Sequence, residues 1–248
     1  MIRVERLHRS FGSQAVLRGV DLEVGKGQIA IVIGRSGGGK SVLLKHLIGL
    51  LRPDSGRVLV NEQDVTALRG AALDRVRERF GVVFQGGALF DSMSVFDNVA
   101  FPLREKTGLK RAEIEAKVQE RLGQVGLAEF GAKNPAEISG GMRKRVAIAR
   151  ALVTDPEVVF FDEPTTGLDP ILVNAIHRLI LTLHRTLRFT AVVVSHEIPE
   201  IFSIADQVAM LHEGVIVEAG SPEAIQASAN PIVQQFIRGD TEGAIRAV

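Results

Sequence analysis

The apolar positions of the chain fall into short continuous runs and longer helical stripes. The runs "QIAIVIG", "EVVFFDEP" and "TAVVVSHE" have the length of strands that are buried on both faces of a parallel sheet. Between the last two runs, "ILVNAIHRLILTLHRTLR" predicts a helix with an apolar stripe through Ala175, Leu179, Leu183 and Leu187. Strand, helix and strand in this order form a crossover unit, so the pattern predicts an α/β core that binds ligands at the carboxyl ends of its strands.

The remaining patterns divide the chain around this core. "AVLRGVDLEV" and "GRVLVNEQDV" read as N-terminal strands and turns, whereas "DQVAMLHEGVIVEAG" predicts a hairpin at its central Glu-Gly pair. In "RAEIEAKVQERLGQVGL" the apolar positions recur with a helical period at Ile114, Val118, Leu122 and Val125. We therefore expect one domain, with a core over residues 1–85 and 153–226, an inserted helical subdomain over 86–152 and a C-terminal extension over 227–248.

Composition narrows the class of protein. With 248 residues, 46% of them hydrophobic, the chain can bury a sizeable core. Thirty basic and 29 acidic residues leave a net charge of +1, so no general attraction to nucleic acid is expected. The absence of cysteine excludes disulfides and thiolate metal sites and fits a reducing cytoplasm. No apolar run approaches the ~18 residues of a membrane span, and we see no secretory signal, so work at a membrane would require another subunit.

A glycine-rich loop follows the first buried strand. "GRSGGGKS" satisfies the pattern G-x-x-x-x-G-K-[ST] and lies between a predicted strand and a predicted helix, as a phosphate-binding loop requires. Glycines allow backbone N–H groups to point inward at phosphate, and the helix N-terminus adds the positive end of its dipole. We expect Lys40 to reach the β- and γ-phosphates and Ser41 to bind Mg²⁺; the alternative is a chance glycine turn. The loop consists of Gly34, Arg35, Ser36, Gly37, Gly38, Gly39, Lys40 and Ser41.

Polar side chains also follow three other predicted strands. "VVFFDEP" ends in Asp162 and Glu163; we expect Asp162 to hold Mg²⁺ and Glu163 to polarise the attacking water as general base. The alternative is an ordinary strand end that meets solvent. His196 ends "AVVVSH", where it could hydrogen-bond the γ-phosphate and position the water, although a single histidine is usually structural. Gln85 follows "FGVVF", where it could contact Mg²⁺ or its water.

Two further features have competing interpretations. Phe11 lies upstream of the phosphate loop and could stack on adenine, or it could be a core residue. The basic cluster of Arg143, Lys144, Arg145 and Arg150 superficially resembles a nucleic-acid patch, but no aromatic residues are interleaved with it. We therefore interpret this cluster as a solvated helix face.

Taken in order along the chain, "GRSGGGKS", Gln85, "ISGGM", "VVFFDEPTTGLD" and His196 resemble the motifs of the ABC-type ATPases, and the resemblance covers nearly the whole chain. It implies an ATPase with a P-loop core, made of a mixed or parallel sheet flanked by helices with N-terminal antiparallel strands, and a helical subdomain insertion. It also implies ATP and Mg²⁺ as ligands.

The resemblance further implies a head-to-tail pair of ATPase subunits. The "ISGGM" turn of one copy would cover the γ-phosphate held by the other through Ser139, Gly140 and Gly141, and Gly167, Leu168 and Asp169 would communicate between the two sites. The family usually has Leu and Gln where this chain has Ile138 and Met142, and commonly Tyr where it has Phe11. Met142 has no side-chain amide to reach ribose.

One branch of the family is especially similar. "FQGGALFDSMSVFDNVAFPLREKTGL", "SGGM" and "PIVQQFIRGD" resemble the ATPases of Mce-associated phospholipid transporters. This implies a peripheral protein on the cytoplasmic face of the inner membrane, bound to an integral permease, with a small STAS-like subunit and a periplasmic Mce-domain protein as further partners. A groove for the permease would be lined by Ala88, Leu89, Phe90, Met93 and Phe96, unless these side chains pack the subdomain's own core.

Other functions remain open at this point. An ABC ATPase for a different cargo, such as an amino acid, is the nearest alternative, because no residue of this subunit contacts cargo. A soluble ABC protein acting in DNA repair or on the ribosome fits poorly, because such relatives carry long coiled-coil insertions or two cassettes. A nucleotide-gated binding module without turnover would not need Lys40, Glu163 and His196 together.

Overall fold

A computed structural model describes residues 1–245; residues 246–248, the end of the predicted C-terminal extension, lie outside the described residues. The strands are β1 (Ile2–Phe11), β2 (Gln14–Val24), β3 (Ile29–Ile33), β4 (Ser55–Val60), β5 (Gln63–Asp64), β6 (Phe80–Val83), β7 (Val158–Asp162), β8 (Thr190–Ser195), β9 (Gln207–His212) and β10 (Val215–Gly220). The helices are α1 (Lys40–Leu47), α2 (Gly70–Arg77), α3 (Val95–Lys106), α4 (Arg111–Gln124), α5 (Gly140–Leu152), α6 (Pro170–Leu187), α7 (Pro222–Gln226) and α8 (Pro231–Arg238).

The chain forms two compact units. The first comprises Met1–Arg77 together with Thr190–Val248, and the second comprises Glu78–Phe189. The second unit is therefore an insertion between two parts of the first. The predicted finer boundaries of the ATPase core, the helical subdomain and the C-terminal extension stay predictions.

Two sheets build the first unit. An antiparallel sheet has the order β2-β1-β4-β5; the pattern predicts these strands, and the family resemblance implies their antiparallel pairing. In the second sheet, β3 pairs in parallel with both β8 and β9, and β10 pairs antiparallel with β9. Every residue of β3 and β8 is buried, which confirms the strands predicted from "QIAIVIG" and "TAVVVSHE". The hairpin between β9 and β10 turns at Glu213 and Gly214, both with positive φ, as a two-residue primed turn requires.

Helix α8, in the C-terminal part of the first unit, has Asn230 as its N-cap. Gln235, buried in this helix, donates through Nε2 to the carbonyl of Ile245 at 2.9 Å and accepts from its N–H at 2.6 Å. The polar side chain thus satisfies both backbone groups of Ile245 where water is excluded.

The second unit combines β6 and β7, which pair in parallel, with helices α3 to α6. All of β7 is buried, as "EVVFFDEP" predicts. The stripe predicted for α4 is confirmed, because Ile114, Val118, Leu122 and Val125 are all buried.

The stripe predicted for α6 is largely wrong. Of its four residues only Leu183 is buried, whereas Ala175, Leu179 and Leu187 are half-buried. Each residue of an α-helix advances by about 100° around the axis. A row of residues spaced four apart therefore rotates by about 40° at every step and moves off the buried face. The buried positions instead follow mixed steps of three and four, which stay on one face: Val173, Ile176, His177, Ile180 and Leu183.

Candidate functional site

The glycine-rich loop connects β3 to α1 within the first unit. Gly34 leaves the strand with φ +154°, and a Cβ there would lie 2.3 Å from the carbonyl oxygen of Leu211. Gly37 and Gly39 have φ values of +73° and +96°, which L side chains rarely adopt. The Gly38 N–H donates to the carbonyl of Arg35 at 3.1 Å and closes a turn. The sequence pattern therefore corresponds to a backbone conformation that needs glycine at these positions.

Lys40 holds this loop together from the first turn of α1. Its side chain is 3% exposed, and Nζ donates to the carbonyls of Gly34 and Arg35, both at 2.9 Å. A cavity of about 450 Å³ opens beside the loop and is lined by Arg35, Ser36 and other residues of the first unit. A buried ammonium next to a glycine loop and a helix N-terminus is an arrangement that fits a phosphate chain.

His196 and Phe11 belong to the same unit as the loop. Ile33 pairs with Ser195 across the parallel strands β3 and β8, so Gly34 and His196 both continue from the same sheet edge. His196 is half-buried there. Phe11 ends β1 with 44% of its surface exposed, and the Arg9 guanidinium lies 4.7 Å from the centre of its ring. This exposure argues against the core interpretation of Phe11 and leaves its ring accessible for stacking.

The acidic pair lies in the second unit. Asp162 ends β7 and is 8% exposed, and Glu163 follows it at 9%. Glu163 has φ +46°, a left-handed conformation that costs a non-glycine residue about 1–3 kcal/mol and is typical of functional sites. Its carboxylate accepts hydrogen bonds from Gln85 Nε2 at 2.9 Å and from the Thr166 hydroxyl at 3.2 Å. The structure therefore brings Gln85 and Glu163 together and holds the carboxylate in a defined orientation.

The "ISGGM" turn begins α5 in the same unit. Ser139 is the N-cap, and its hydroxyl accepts from the Met142 N–H at 3.3 Å. Ser139 is exposed and Gly140 half-buried, whereas a Cβ on the buried Gly141 would lie 3.5 Å from Leu172. The loop predicted to communicate between sites comes next to α6, where Asp169 is the N-cap and accepts from the N–H groups of Ile171 and Leu172.

The prediction that the basic cluster is a solvated helix face is wrong for two of its residues. Lys144 is buried and donates to the Gln85 carbonyl. Arg150 donates to the carbonyls of Gly87 and Ala88, both at 2.7 Å, and burial lowers the pKa of its guanidinium. Both charged side chains therefore bind backbone carbonyls of their own unit, which the sequence pattern did not indicate.

A groove of about 450 Å³ lies in the second unit between α3 and the segment that follows β6. Its lining combines aromatic side chains with a charged rim: Phe80, Phe84, Phe90, Phe101, Pro102, Glu105, Lys106 and Arg150 are among its residues. Phe90 is 40% exposed, and its ring centre lies 4.9 Å from that of Phe101.

The predicted groove residues are only partly placed here. Ala88 and Phe90 line this groove, whereas Leu89 and Met93 are half-buried outside its lining. Phe96 lines a separate cavity with Asp97 and Arg104. The periodicity of a loop does not indicate which side chains face which surface, and this explains the difference.

The residues assigned to Mg²⁺ offer only oxygen ligands: the Ser41 hydroxyl, the Gln85 amide and the Asp162 carboxylate. Within residues 1–245 there is no cluster of three or more His, Cys, Asp or Glu side chains that could hold a metal on its own. Mg²⁺ is commonly held by one or two protein oxygens together with substrate phosphates, so each of these oxygens is a suitable ligand type for a metal that arrives with a nucleotide.

Comparison with known proteins identifies the family. Residues 17–166 match the ABC transporter family. The chain belongs to this family. This ABC protein is therefore an ATP-binding subunit and an ATPase.

The similarity to known proteins extends over almost the whole ABC chain. A probable ribonucleotide transport ATP-binding protein, mkl of Mycobacterium leprae, is 43% identical over 98% of this chain and 70% of its own length. The intermembrane phospholipid transport system ATP-binding protein MlaF of Haemophilus influenzae is 41% identical over 99% of this chain and 93% of its own. MlaF of Escherichia coli strain K12 is 41% identical over 94% and 87%, respectively.

Solved structures confirm the predicted ABC ATPase fold. CbiO1 of Clostridium perfringens, part of an ABC transporter complex, has a TM-score of 0.85 and 31% identity over 97% of this chain and 94% of its own. The ATP-binding cassette MJ0796, dimeric in a post-hydrolysis state bound to ADP and Pi, has a TM-score of 0.81 and 28% identity over 90% and 99%.

Three residues that contact this site were missed in the sequence. Thr166 binds Glu163, Lys144 binds the carbonyl of Gln85, and Arg150 binds the carbonyls of Gly87 and Ala88. Nothing in the pattern separates Lys144 and Arg150 from the neighbouring Arg143 and Arg145, because all four lie within one short basic stretch. A hydrophilic residue in an amphipathic helix is expected to face solvent unless its partner is known.

Proposed function

We propose that this ATPase drives phospholipid transport between the inner and outer membranes through a permease partner. The observation that carries the proposal is the match to MlaF, which runs over 99% of this chain and 93% of the MlaF of Haemophilus influenzae. The match therefore includes the "FDSMSVFDNVAFPL" stretch and the C-terminal segment as well as the nucleotide-binding motifs. The transport ATPase would act on the cytoplasmic face of the inner membrane as a peripheral subunit.

Nucleotide binding would use the first unit. The glycine loop offers its N–H groups to the phosphates, and Lys40 moves its ammonium from the loop carbonyls to the β- and γ-phosphates. Phe11 stacks on adenine, which its 44% exposed ring supports. Mg²⁺, when bound, neutralises charge on the phosphates; Ser41, Gln85 and Asp162 would hold it.

Hydrolysis would depend on Glu163 as the general base. Hydrogen bonds from Gln85 and Thr166 hold this carboxylate in one orientation relative to the attacking water. His196 would hydrogen-bond the γ-phosphate and help to position the water. Such positioning and charge stabilisation make up most of the catalysis of phosphoryl transfer.

A second copy of the chain would complete each site. Ser139, Gly140 and Gly141 of one copy present a helix N-terminus, which suits the γ-phosphate held by the other copy. The exposed position of Ser139 supports this, and so does the dimer of the related cassette MJ0796. ATP would then lie between the copies and hold them together, and loss of the γ-phosphate would let them part.

The remaining partners follow from the same proposal. The aromatic groove around Phe84, Phe90 and Phe101 is suited to an apolar helix of the permease, with Glu105 and Lys106 at its rim. None of the helices in the part of the chain that the structure describes is long and apolar enough to cross a membrane. A small STAS-like subunit and a periplasmic Mce-domain protein would complete the transporter.

A second candidate function differs from the first only in the transported cargo. The Mycobacterium leprae relative is described as a ribonucleotide transport protein at 43% identity, slightly above the MlaF values. A different cargo, such as a ribonucleotide or an amino acid, would leave every residue of the ATP site unchanged.

The experiment is purification of the native membrane complex through an affinity tag on this chain, followed by identification of its subunits and bound lipid. We expect a permease, an Mce-domain protein and co-purified phospholipid, and ATP-dependent movement of labelled phospholipid between vesicles. A Glu163→Gln complex serves as the control without turnover. A complex that lacks an Mce-domain protein and shows ATPase stimulation by a ribonucleotide or an amino acid would contradict the lipid assignment.

A further inference from the structure

Helix α5 binds the segment after β6 through two basic side chains. Lys144 is 8% exposed and donates to the carbonyl of Gln85. The two terminal nitrogens of Arg150 donate to the carbonyls of Gly87 and Ala88, each at 2.7 Å. One helix therefore binds three of the four carbonyls between residues 85 and 88, a stretch that we call the 85–88 segment.

The same segment carries the side chain that orients Glu163. Gln85 Nε2 lies 2.9 Å from the Glu163 carboxylate. The backbone of Gln85 is bound by Lys144 while its side chain binds Glu163, so a displacement of this backbone moves the hydrogen-bond donor relative to the carboxylate. The orientation of Glu163 is thus connected by direct contacts to α5.

The other basic residues of α5 bind elsewhere. Arg143 donates to the carbonyl of Ile138 at 2.9 Å, and Arg145 to that of Val125 at 3.4 Å. Proximity in sequence therefore does not explain the contacts of Lys144 and Arg150. A buried cation is costly unless it is hydrogen-bonded, and a hydrogen bond from a charged donor is stronger than one between neutral groups.

We propose that Lys144 and Arg150 are positioning residues for ATP hydrolysis. They fix the 85–88 segment on α5, and this segment in turn holds the Glu163 carboxylate in the orientation that activates water. The inference rests on the proposed role of Glu163 as general base. It also gives Arg150 a second role, because this residue lines the aromatic groove and lies 5.9 Å from the Phe90 ring.

A partner seated in the groove would thus contact the same side chain that holds the segment next to Glu163. Displacement of the Arg150 guanidinium would release the carbonyls of Gly87 and Ala88. Occupation of the groove and orientation of the base are then linked through one residue, whose contacts a partner in the groove can change.

The first test is Lys144→Met, which keeps the length of the side chain and removes its ammonium. In the purified complex we expect kcat to fall about tenfold while KM for ATP stays within about twofold, the pattern for an interaction that matters mainly in the transition state. Lys144→Arg, which retains a cationic donor, should recover most of the rate. The matched control is Arg145→Met on the same helix, which should leave both constants unchanged.

A double variant separates positioning from a structural role. If Lys144 acts through Glu163, adding Lys144→Met to Glu163→Gln should not lower the single-turnover rate further, because the two losses are not additive. Additive losses, or a Lys144→Met kcat equal to that of wild type, would overturn the inference. Normal turnover by Glu163→Gln alone would instead contradict the proposed general base and leave the contacts of Lys144 to be explained otherwise.

Arg150→Lys provides the second variant if Lys144→Met does not fold. This variant keeps the charge but loses the two guanidinium nitrogens that bind two carbonyls at once. Lysine and arginine are not equivalent at such a site. We expect kcat to fall about three- to tenfold, KM for ATP to stay within about twofold, and the ATPase rate to lose its response to the permease. Turnover and permease response equal to those of wild type would overturn the role of Arg150.

Discussion

At the scale of single residues, the conformation of Glu163 is the most informative feature. It is buried, it adopts a positive φ of 46°, and it is bound by two side chains of its own unit. A strand end that merely meets solvent needs none of these features. The geometry therefore favours the catalytic interpretation over the ordinary one.

We expect Glu163→Gln to preserve ATP binding and to reduce hydrolysis by about 10²–10⁴-fold, the usual contribution of a positioned general base. Gln has nearly the same size but cannot accept a proton from water. The measurement is steady-state phosphate release by the assembled complex, together with equilibrium nucleotide binding. Equal rates for the wild type and the variant would contradict the role of Glu163.

Lys40→Ala, in contrast to Glu163→Gln, should impair nucleotide binding. The variant removes the buried ammonium and also leaves the Gly34 and Arg35 carbonyls without this donor. Binding of a fluorescent ATP analogue measures the effect, with Lys45→Ala as the control because Lys45 is exposed on the same helix. Undiminished affinity in the Lys40 variant would show that the loop binds nucleotide without its lysine.

At the scale of secondary-structure elements, the aromatic groove separates two explanations for the same side chains. Phe90 contacts Phe101 and retains 40% exposure. It is therefore partly packed and partly available to a partner, whereas Phe96 lies in another cavity. Only the first of these phenylalanines is a useful probe of the permease interface.

We expect Phe90→Glu to leave the subunit folded and to detach or uncouple it from its permease. A carboxylate in an apolar interface loses its hydration without gaining a partner. Co-purification with the permease and ATP-dependent transport are measured, with thermal unfolding as the check on folding. Leu50→Glu is the matched control, because Leu50 is 50% exposed and is not part of the groove lining. Normal assembly and transport by Phe90→Glu would exclude this residue from the interface.

At the scale of the whole molecule, the residues predicted to bind and hydrolyse ATP are distributed over both units. The first unit holds the glycine loop, Phe11 and His196, and the second holds Gln85, Glu163 and the "ISGGM" turn. The proposed head-to-tail pair adds the turn of one copy to the loop of the other. Arg35 lies within the glycine loop and Arg143 follows the turn, and both residues are exposed.

The absence of cysteine allows a direct test of this pairing. With Arg35→Cys and Arg143→Cys in a Glu163→Gln background, we expect a short bis-thiol linker to join two chains only when ATP and Mg²⁺ are present. A ligand that binds the closed state shifts the population toward it. Each single-cysteine variant should remain uncross-linked, because the proposed geometry places Arg35 opposite Arg143 and not opposite itself. Cross-linking that ignores ATP, or that occurs only within one chain, would contradict the trans arrangement.

Local features of the chain were sufficient to predict most elements and the phosphate loop. Continuous apolar runs predicted β3, β7 and β8, and the Glu213-Gly214 pair predicted the hairpin, because burial on both faces and a primed turn each impose a short-range pattern. The glycine pattern likewise predicted a loop whose positive φ values and close backbone approach exclude side chains. Such constraints act within a few residues, and the sequence displays them directly.

Contacts between distant residues could be decided only by the tertiary structure. The buried face of α6, the exposure of Phe11 and the different surfaces reached by Phe90 and Phe96 depend on what packs against each segment. The same applies to Lys144. Its charge suggests exposure to solvent, but it binds the carbonyl of Gln85, 59 residues away in the sequence. A side chain's type determines what it can bind, whereas its burial and its partner depend on chain folding that brings remote groups together.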